Sequence, residues 1–351
     1  MGKVKVLVVD DSAFMRKIIK NLLEEDARIQ VVATSKNGLE CLQVLQNQEI
    51  DVITLDVEMP KMNGLDCLKE IMRIKPTPVI MLSSTTAEGT DNTISAMSLG
   101  AIDFLAKPSG QISLDLHKIQ DVLISKVLIA KDVNINNFKK NSKEEKKLND
   151  NRTQIINNIT KQRCVIAIGT STGGPRALQQ VLTNLPKLDL PIFVVQHMPK
   201  GFTKSLADRL NTLCELYIKE AEPNEKVKNG TVYIAPGGFH MNIELVNNEM
   251  FIRLNTQDPR NGHRPSVDEL FESISYLDGY YKIGVIMTGM GSDGTQGLKK
   301  MKLSKNCISI AESEETSIVF GMPKSAIQND CVDEIVPLDD IAMTLLRILK
   351  V

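Results

Sequence analysis

The serine of Ile168-Gly169-Thr170-Ser171-Thr172-Gly173-Gly174-Pro175 stands where an apolar run ends and a helical pattern begins. Gly169, Ser171 and Gly173 fit the Gly-x-Ser-x-Gly turn, whose small flanking residues lift a serine hydroxyl clear of the backbone. Serine is a weak nucleophile at neutral pH, so it needs a base within hydrogen-bonding reach and a group to orient that base. The chain has 4 histidines. His117 belongs to the first half, which leaves His197, His240 and His263. His197 follows the apolar run Ile192–Val195 directly, in Gln196-His197-Met198-Pro199. Asp293 lies in the glycine-rich run Thr288-Gly289-Met290-Gly291-Ser292-Asp293-Gly294, just after Ile283–Met287. If these runs are neighbouring parallel strands, all three side chains converge at one sheet edge as nucleophile, base and orienter. A glycine-rich loop opening a helix also suits an anion. The Walker pattern fails, because Pro175-Arg176 stands where Gly-Lys-Ser/Thr is needed, and Gly-x-Gly-x-x-Gly is not matched. Spacing alone favours the nucleophile without excluding the anion.

The first half offers a different chemistry. Asp10-Asp11 ends one apolar run, Asp56 a second and Ser83-Ser84 a third, while Lys107-Pro108 follows a fourth. Ligands of an open parallel sheet bind beyond the carboxyl ends of its strands, so these residues should share a pocket. Three carboxylates without a partner repel one another, and a hard cation such as Mg²⁺ relieves that with oxygen ligands. A single aspartate at a strand end is more often a helix cap or turn former. The coincidence of all four positions argues against that reading.

The elements that must hold these residues follow from periodicity. Val4–Val9, Val31–Ala33, Val52–Leu55, Val79–Leu82 and Ile102–Leu105 read as strands alternating with amphipathic helices, hence a parallel sheet covered on both faces. After about Lys131, Asn, Lys and Glu dominate and apolar periodicity fades, which predicts a polar interdomain linker. Strand–helix alternation then resumes at Cys164–Ile168, Ile192–Val195, Val232–Ala235, Ile283–Met287 and Ile308–Ala311. Asn247-Asn248 predicts the turn of an antiparallel hairpin between Met241–Val246 and Met250–Leu254. The expected division is 1–125, a linker over 126–161, and a second α/β domain over 162–351.

Bulk properties exclude several classes. A length of 351 residues suits two domains, and a net charge of -1 gives no field favouring nucleic acid or an anionic membrane. The 6 cysteines are scattered without a Cys-x-x-Cys pair, against disulfide and zinc frameworks. Val4–Val9 is too short for a signal peptide, and no apolar stretch reaches membrane-spanning length. The expectation is a cytoplasmic protein without membrane insertion.

The first constellation resembles the response-regulator receiver domain over residues 3–125. That resemblance implies a flavodoxin-like (βα)5 fold, with Asp56 accepting phosphate as an acyl phosphate. Asp10, Asp11, Asp56 and the Glu58 carbonyl would hold Mg²⁺. Ser83 would bond the phosphoryl group, Lys107 would pair with it, and Phe104 would occupy the aromatic switch position. Over residues 162–350 the serine, histidine and aspartate motifs, with Ala235-Pro236-Gly237-Gly238 and His263-Arg264-Pro265-Ser266-Val267-Asp268, resemble the chemotaxis protein-glutamate methylesterase (CheB) family. This implies a doubly wound, mainly parallel α/β domain with Ser171 as nucleophile, His197 as general base and acid, and Asp293 as orienter. Backbone N–H groups of Thr172 and Met290 would form the oxyanion hole. The family further implies demethylation of glutamate γ-methyl esters and deamidation of glutamines on methyl-accepting chemotaxis receptors, with a chemotaxis histidine kinase as phosphodonor. It also implies no cofactor in the catalytic domain and a monomer whose unphosphorylated receiver covers the Ser171 pocket. His240 and His263 are expected to be structural or rim residues. A DNA-binding output domain would need a basic recognition helix, which the second half does not offer. A non-catalytic adaptor would not need Ser171, His197 and Asp293 intact.

Overall fold

The computed structural model describes residues 2–107, 116–133, 163–304 and 306–351. The chain divides into two compact units, Met1–Ser142 and Lys143–Val351.

In the first unit five parallel strands, β1 (Val4–Val9), β2 (Ile29–Ser35), β3 (Val52–Asp56), β4 (Val79–Ser83) and β5 (Asp103–Ala106), line up in the order β2-β1-β3-β4-β5. That is the flavodoxin-like arrangement, with its topological switch between β1 and β3. Every residue of β3 and β4 is buried, as expected of strands covered on both faces. The intervening helices are α1 (Ala13–Glu24), α2 (Gly38–Asn47), α3 (Gly64–Ile74) and α4 (Ala87–Ser98), and α5 (Leu116–Lys131) follows β5. Ser12, Asn37, Asn63 and Thr86 each accept a backbone N–H at the start of the first four. Such caps fix where each strand-to-helix loop ends.

The final helix corrects one boundary. It runs to Lys131, so the expected edge at 125 falls inside it. Leu123, Val127 and Ala130 form a buried stripe at helical spacing, which carries the helix to the point where composition turns polar. The rest of the expected linker, residues 134–161, lies outside the described residues.

The second unit is built on a seven-stranded parallel sheet of order β14-β13-β12-β6-β7-β9-β8. Its strands are β6 (Arg163–Thr170), β7 (Ile192–Gln196), β8 (Tyr217–Glu220), β9 (Thr231–Ile234), β12 (Tyr280–Ile286), β13 (Cys307–Glu312) and β14 (Glu334–Val336). From β6 the chain first builds outward through β7, then returns to build the other side from β12, so the switch point lies between β6 and β12. A separate antiparallel hairpin, β10 (His240–Val246) and β11 (Glu249–Asn255), turns at Asn247-Asn248, both at positive φ as this turn requires. The helices are α6 (Gly174–Thr183), α7 (Phe202–Leu213), α8 (Val267–Ser275), α9 (Thr295–Lys302), α10 (Met322–Gln328) and α11 (Leu338–Leu349). The short edge strands β8 and β14 carry too few apolar residues to read from sequence. Phe193, Tyr233 and Phe271 anchor the core beneath the hairpin and α8, and truncating Phe271 to alanine would cost about 3–5 kcal/mol. The Ile243 N–H bonds Ser273 Oγ, fastening the hairpin to α8 and thereby fixing the loop between them.

Candidate functional site

Ser171, His197 and Asp293 follow β6, β7 and β12, and β6 is the parallel neighbour of both other strands. The three strand ends are therefore neighbours at the switch point, and of the three side chains His197 and Asp293 are in direct contact. The serine turn is tightly constrained. A Cβ on Gly169 would lie 2.2 Å from Val267 Cγ1, and Gly173, at φ +79, opens α6. Strand-end hydrogen bonds align the three loops. His197 N–H donates to Thr170 O (3.1 Å), Ser171 N–H to Thr288 O (3.0 Å), and Gln196 Nε2 to Ser171 O (2.9 Å). Thr288 Oγ1 donates to Thr172 O at 2.9 Å. A Cβ on Gly289 would come within 2.8 Å of Ser171 Cβ, so the glycine-rich loop passes directly against the serine.

His197 Nε2 lies 2.8 Å from Asp293 Oδ2. Its Nδ1 is buried with no hydrogen-bond partner among the described residues, which leaves that nitrogen for a nucleophile or substrate. Asp293 is 1% exposed and rich in donors. Its oxygens accept from Ser266 Oγ (2.8 Å), Val267 N–H (2.7 Å) and Asp268 N–H (3.2 Å), at the start of α8. Asn261 Nδ2 adds a longer contact of 3.4 Å. Burial alone would raise this carboxyl. The hydrogen bond and charge of His197 outweigh it, aided by Val267, Ser266 and the positive end of the helix, and hold the group well below the usual carboxylate range. Asp268 beside it is pushed up to about 6 by burial, with the charge of Asp293 adding to the rise. Beneath the loop, Thr288 N–H donates to the fully buried Glu312 at 2.8 Å, and burial pushes that carboxyl up to about 7.

Thr172 is buried, whereas the Met290 side chain is 43% exposed at the loop surface. Thr288, Gln196, Ser266 and Asn261 were not singled out from sequence. All four lie next to or within the quoted motifs, and Ser266 directly precedes α8, so capping propensity could have drawn attention to it. His240 braces a loop through a 3.1 Å contact of Nε2 with Asp258 O, in keeping with a structural role. His263 is half-buried, and its ring stacks on that of His197, centroids 3.7 Å apart.

The first unit gathers its residues at the β1/β3 switch. Ligand oxygens of Asp10, Asp11 and Asp56 all lie within 4.8 Å of one another. Lys107 Nζ sits 2.8 Å from Asp10 Oδ2 and 2.6 Å from Asp56 Oδ2. Burial pushes Asp56 up to about 6, against the pull of Lys107 and with Asp10 adding to the rise. Lys107 itself is raised, its two ion pairs outweighing burial. Three carboxylates against one ammonium leave excess negative charge, and Asp11 is exposed, so the pocket is open on one side. An all-oxygen, solvent-accessible donor set of this kind fits Mg²⁺, which keeps several waters. Glu58 stands apart from the clustered carboxylates. Its N–H donates to Asp56 Oδ1 at 3.3 Å, and Ser84 Oγ reaches its carboxylate at 3.4 Å. The Ser83 hydroxyl lies 2.9 and 3.0 Å from the carbonyls of Ser84 and Gly89. Phe104 is buried on β5.

A five-stranded sheet with an acidic cluster at its switch point defines a receiver-type domain, and the second unit is an α/β domain of a different topology. Comparison with known proteins gives the same division. The response regulator receiver domain model matches residues 6–118, and the CheB methylesterase model matches residues 166–345. A protein-glutamate methylesterase/protein-glutamine glutaminase of Halalkalibacterium halodurans is 52% identical over 347 residues, covering 99% of this chain and 98% of the relative. The protein of the same name from Bacillus subtilis is 47% identical over 358 residues, covering 99% of each. The crystal structure of the Thermotoga maritima CheB methylesterase catalytic domain is 46% identical, with a TM-score of 0.52 over 53% of this chain and 98% of that one. The chain belongs to the CheB methylesterase family and carries a response regulator receiver domain. It is a hydrolase. Among the described residues no helix is long and apolar enough to cross a membrane.

Proposed function

We propose that the chain removes methyl groups from glutamate γ-methyl esters, and ammonia from specific glutamines, on methyl-accepting chemotaxis receptors, under the control of phosphorylation at Asp56. The observation that carries the hydrolytic half is the His197 Nε2–Asp293 Oδ2 bond beside the Ser171 turn. Ser171 Oγ attacks the acyl carbon while His197 Nδ1 takes its proton. Asp293, kept ionised by its donors, holds the Nε2 proton and stabilises the imidazolium that forms. N–H groups of Thr172 and Met290 receive the oxyanion, each donor worth on the order of 10²–10³ in rate. His197 then protonates the departing methoxide, methanol leaves, and water attacks the acyl-serine with the same base. Ester and water become carboxylic acid and methanol. A glutamine presents the same acyl carbon with a poorer leaving group, so release of ammonia leans more on protonation by His197. Side chains supply the nucleophile, base and orienter and the backbone supplies the oxyanion donors, and no cofactor is assigned to the second unit.

In the receiver, Asp56 takes the phosphoryl group from a chemotaxis histidine kinase. Asp10, Asp11, Asp56 and the Glu58 carbonyl would hold Mg²⁺, which when bound offsets the charge of carboxylates and phosphoryl oxygens. Lys107 pairs with the phosphoryl group, Ser83 turns its hydroxyl to it, and Phe104 repacks. Residues from the end of α5 to about 161 act as the linker between receiver and catalytic domain. The working form is a cytoplasmic monomer that does not bind nucleic acid. Removing residues 1–150 is expected to give an esterase that no longer needs phosphate. Purified full chain added to methylated receptor membranes tests the reading. Methanol release should rise with acetyl phosphate and Mg²⁺, and should lose that response in Asp56→Asn. Absence of methanol under every condition would contradict it.

A further inference from the structure

We propose that His263 is a positioning residue for the base, its ring forming a fixed face that sets the plane of His197. The proposal rests on the reading of His197 as base. The two imidazoles are stacked, with centroids 3.7 Å apart and planes 9° from parallel. The need for such a face follows from the torsion involved. The bond joining an imidazole to its Cβ is a broad, roughly two-fold rotor, so rotamer preference does not hold the ring plane. The Asp293 bond fixes one point of the ring, Nε2, and leaves it free to rock about that point. Rocking carries Nδ1 off the line to the nucleophile, and misplacements of about 1 Å can cost on the order of 10²-fold in rate. A ring packed flat against the opposite face removes that freedom. It also presents π density to the imidazolium formed in the reaction.

His263 is itself held in a way that ties it to the same carboxylate. Arg260 and His263 exchange backbone hydrogen bonds of 3.1 and 2.9 Å across Asn261-Gly262, whose φ values of 52 and 79 make this a tight hairpin turn. Asn261 Nδ2 leaves the turn to reach Asp268 Oδ2 at 3.1 Å and Asp293 Oδ1 at 3.4 Å. The Arg260 guanidinium bonds Glu269 and Glu272 of α8 at 3.2 and 2.6 Å. On the far side Arg264 Nη1 donates to Thr256 O and Gln257 O at 2.8 and 2.9 Å. One four-residue turn, braced at both ends, thus touches both the orienting carboxylate and the base.

Two variants in the full chain separate a ring face from simple bulk: His263→Phe keeps a flat π surface, and His263→Leu fills similar volume without one. The readouts are the rate at which an alkyl phosphonofluoridate labels Ser171, and kcat and KM for methanol release. We expect His263→Phe to stay within about threefold of wild type, and His263→Leu to fall about 10-fold in labelling rate and kcat with KM unchanged. Circular dichroism and the unfolding midpoint should match for both. Equal labelling by the Phe and Leu variants, in a preparation whose wild-type serine does label, overturns the positioning role alone. A wild-type Ser171 that fails to label removes the hydrolytic reading and this proposal with it.

Discussion

Asp56 closes β3 and Asp293 lies in the loop after β12, 3% and 1% exposed, yet their carboxyls shift in opposite directions. Asp56 has one N–H donor at 3.3 Å, one ammonium that it shares with Asp10, and a second carboxylate as neighbour. Desolvation wins there. Asp293 has a hydroxyl, two helix N-terminal N–H groups and an imidazole within 3.2 Å, and the donors win. Burial depth does not separate them; the number of donors each can keep does. A phosphoacceptor must exchange partners as cation and phosphoryl group come and go, so a poorly satisfied, solvent-accessible cluster suits it. An orienting carboxylate has to stay ionised through every turnover, and a closed cage suits that.

The largest expected break in this comparison is Asp293→Asn, which should lower kcat by about 10⁴-fold by misdirecting the His197 ring and its tautomer. Stability should separate the two aspartates as well. The folded chain binds more protons at Asp56 than the unfolded chain between about pH 4 and pH 6, so stability is lost as pH rises through that window. Asp56→Asn should therefore stabilise the receiver by on the order of 2 kcal/mol at pH 8 in chelator, and by little at pH 4. At Asp293 the sign reverses. Its stabilisation is present above the unfolded pKa and is lost only in strong acid, so Asp293→Asn should lower the unfolding midpoint of the second domain at pH 8. Adding Mg²⁺ should raise the wild-type receiver midpoint and leave Asp56→Asn nearly unmoved. The smallest effect belongs to Ser266→Ala: loss of one donor to a charged acceptor, about 1.5 kcal/mol, should lower kcat roughly 10-fold with the fold intact. A larger loss for Ser266→Ala than for Asp293→Asn would invert the assignment of roles.

Sequence carried the reacting groups further than their supports. The runs ending at Asp56, Thr170, Gln196 and Ile286 are continuous and apolar because both sheet faces are covered, so strand ends, and the polar residues just past them, were legible. Strands β8 and β14 sit at the sheet edges, where Tyr217–Glu220 and Glu334–Val336 have no need of an apolar run. The last turns of α5 continue the apolar run Val127-Leu128-Ile129-Ala130 up to Lys131, where the polar drift begins, so the end of the helix is legible there rather than at 125. Arg260-Asn261-Gly262-His263 could be recognised as a turn from Asn-Gly, yet nothing in its pattern says that it folds back onto β7 and β12 loops distant in sequence. Likewise, periodicity cannot tell which ring nitrogen of His197 meets the carboxylate. That assignment depends on where α8 begins in space relative to β12.

Methanol release by the phosphorylated full chain with Ser171 intact and with Ser171→Ala bears most directly on the hydrolytic mechanism. Loss of the nucleophile should reduce release by at least about 10⁴-fold while the fold and Mg²⁺ response of the receiver persist. Release at a comparable rate from both would mean that the Ser171 hydroxyl is not the attacking group.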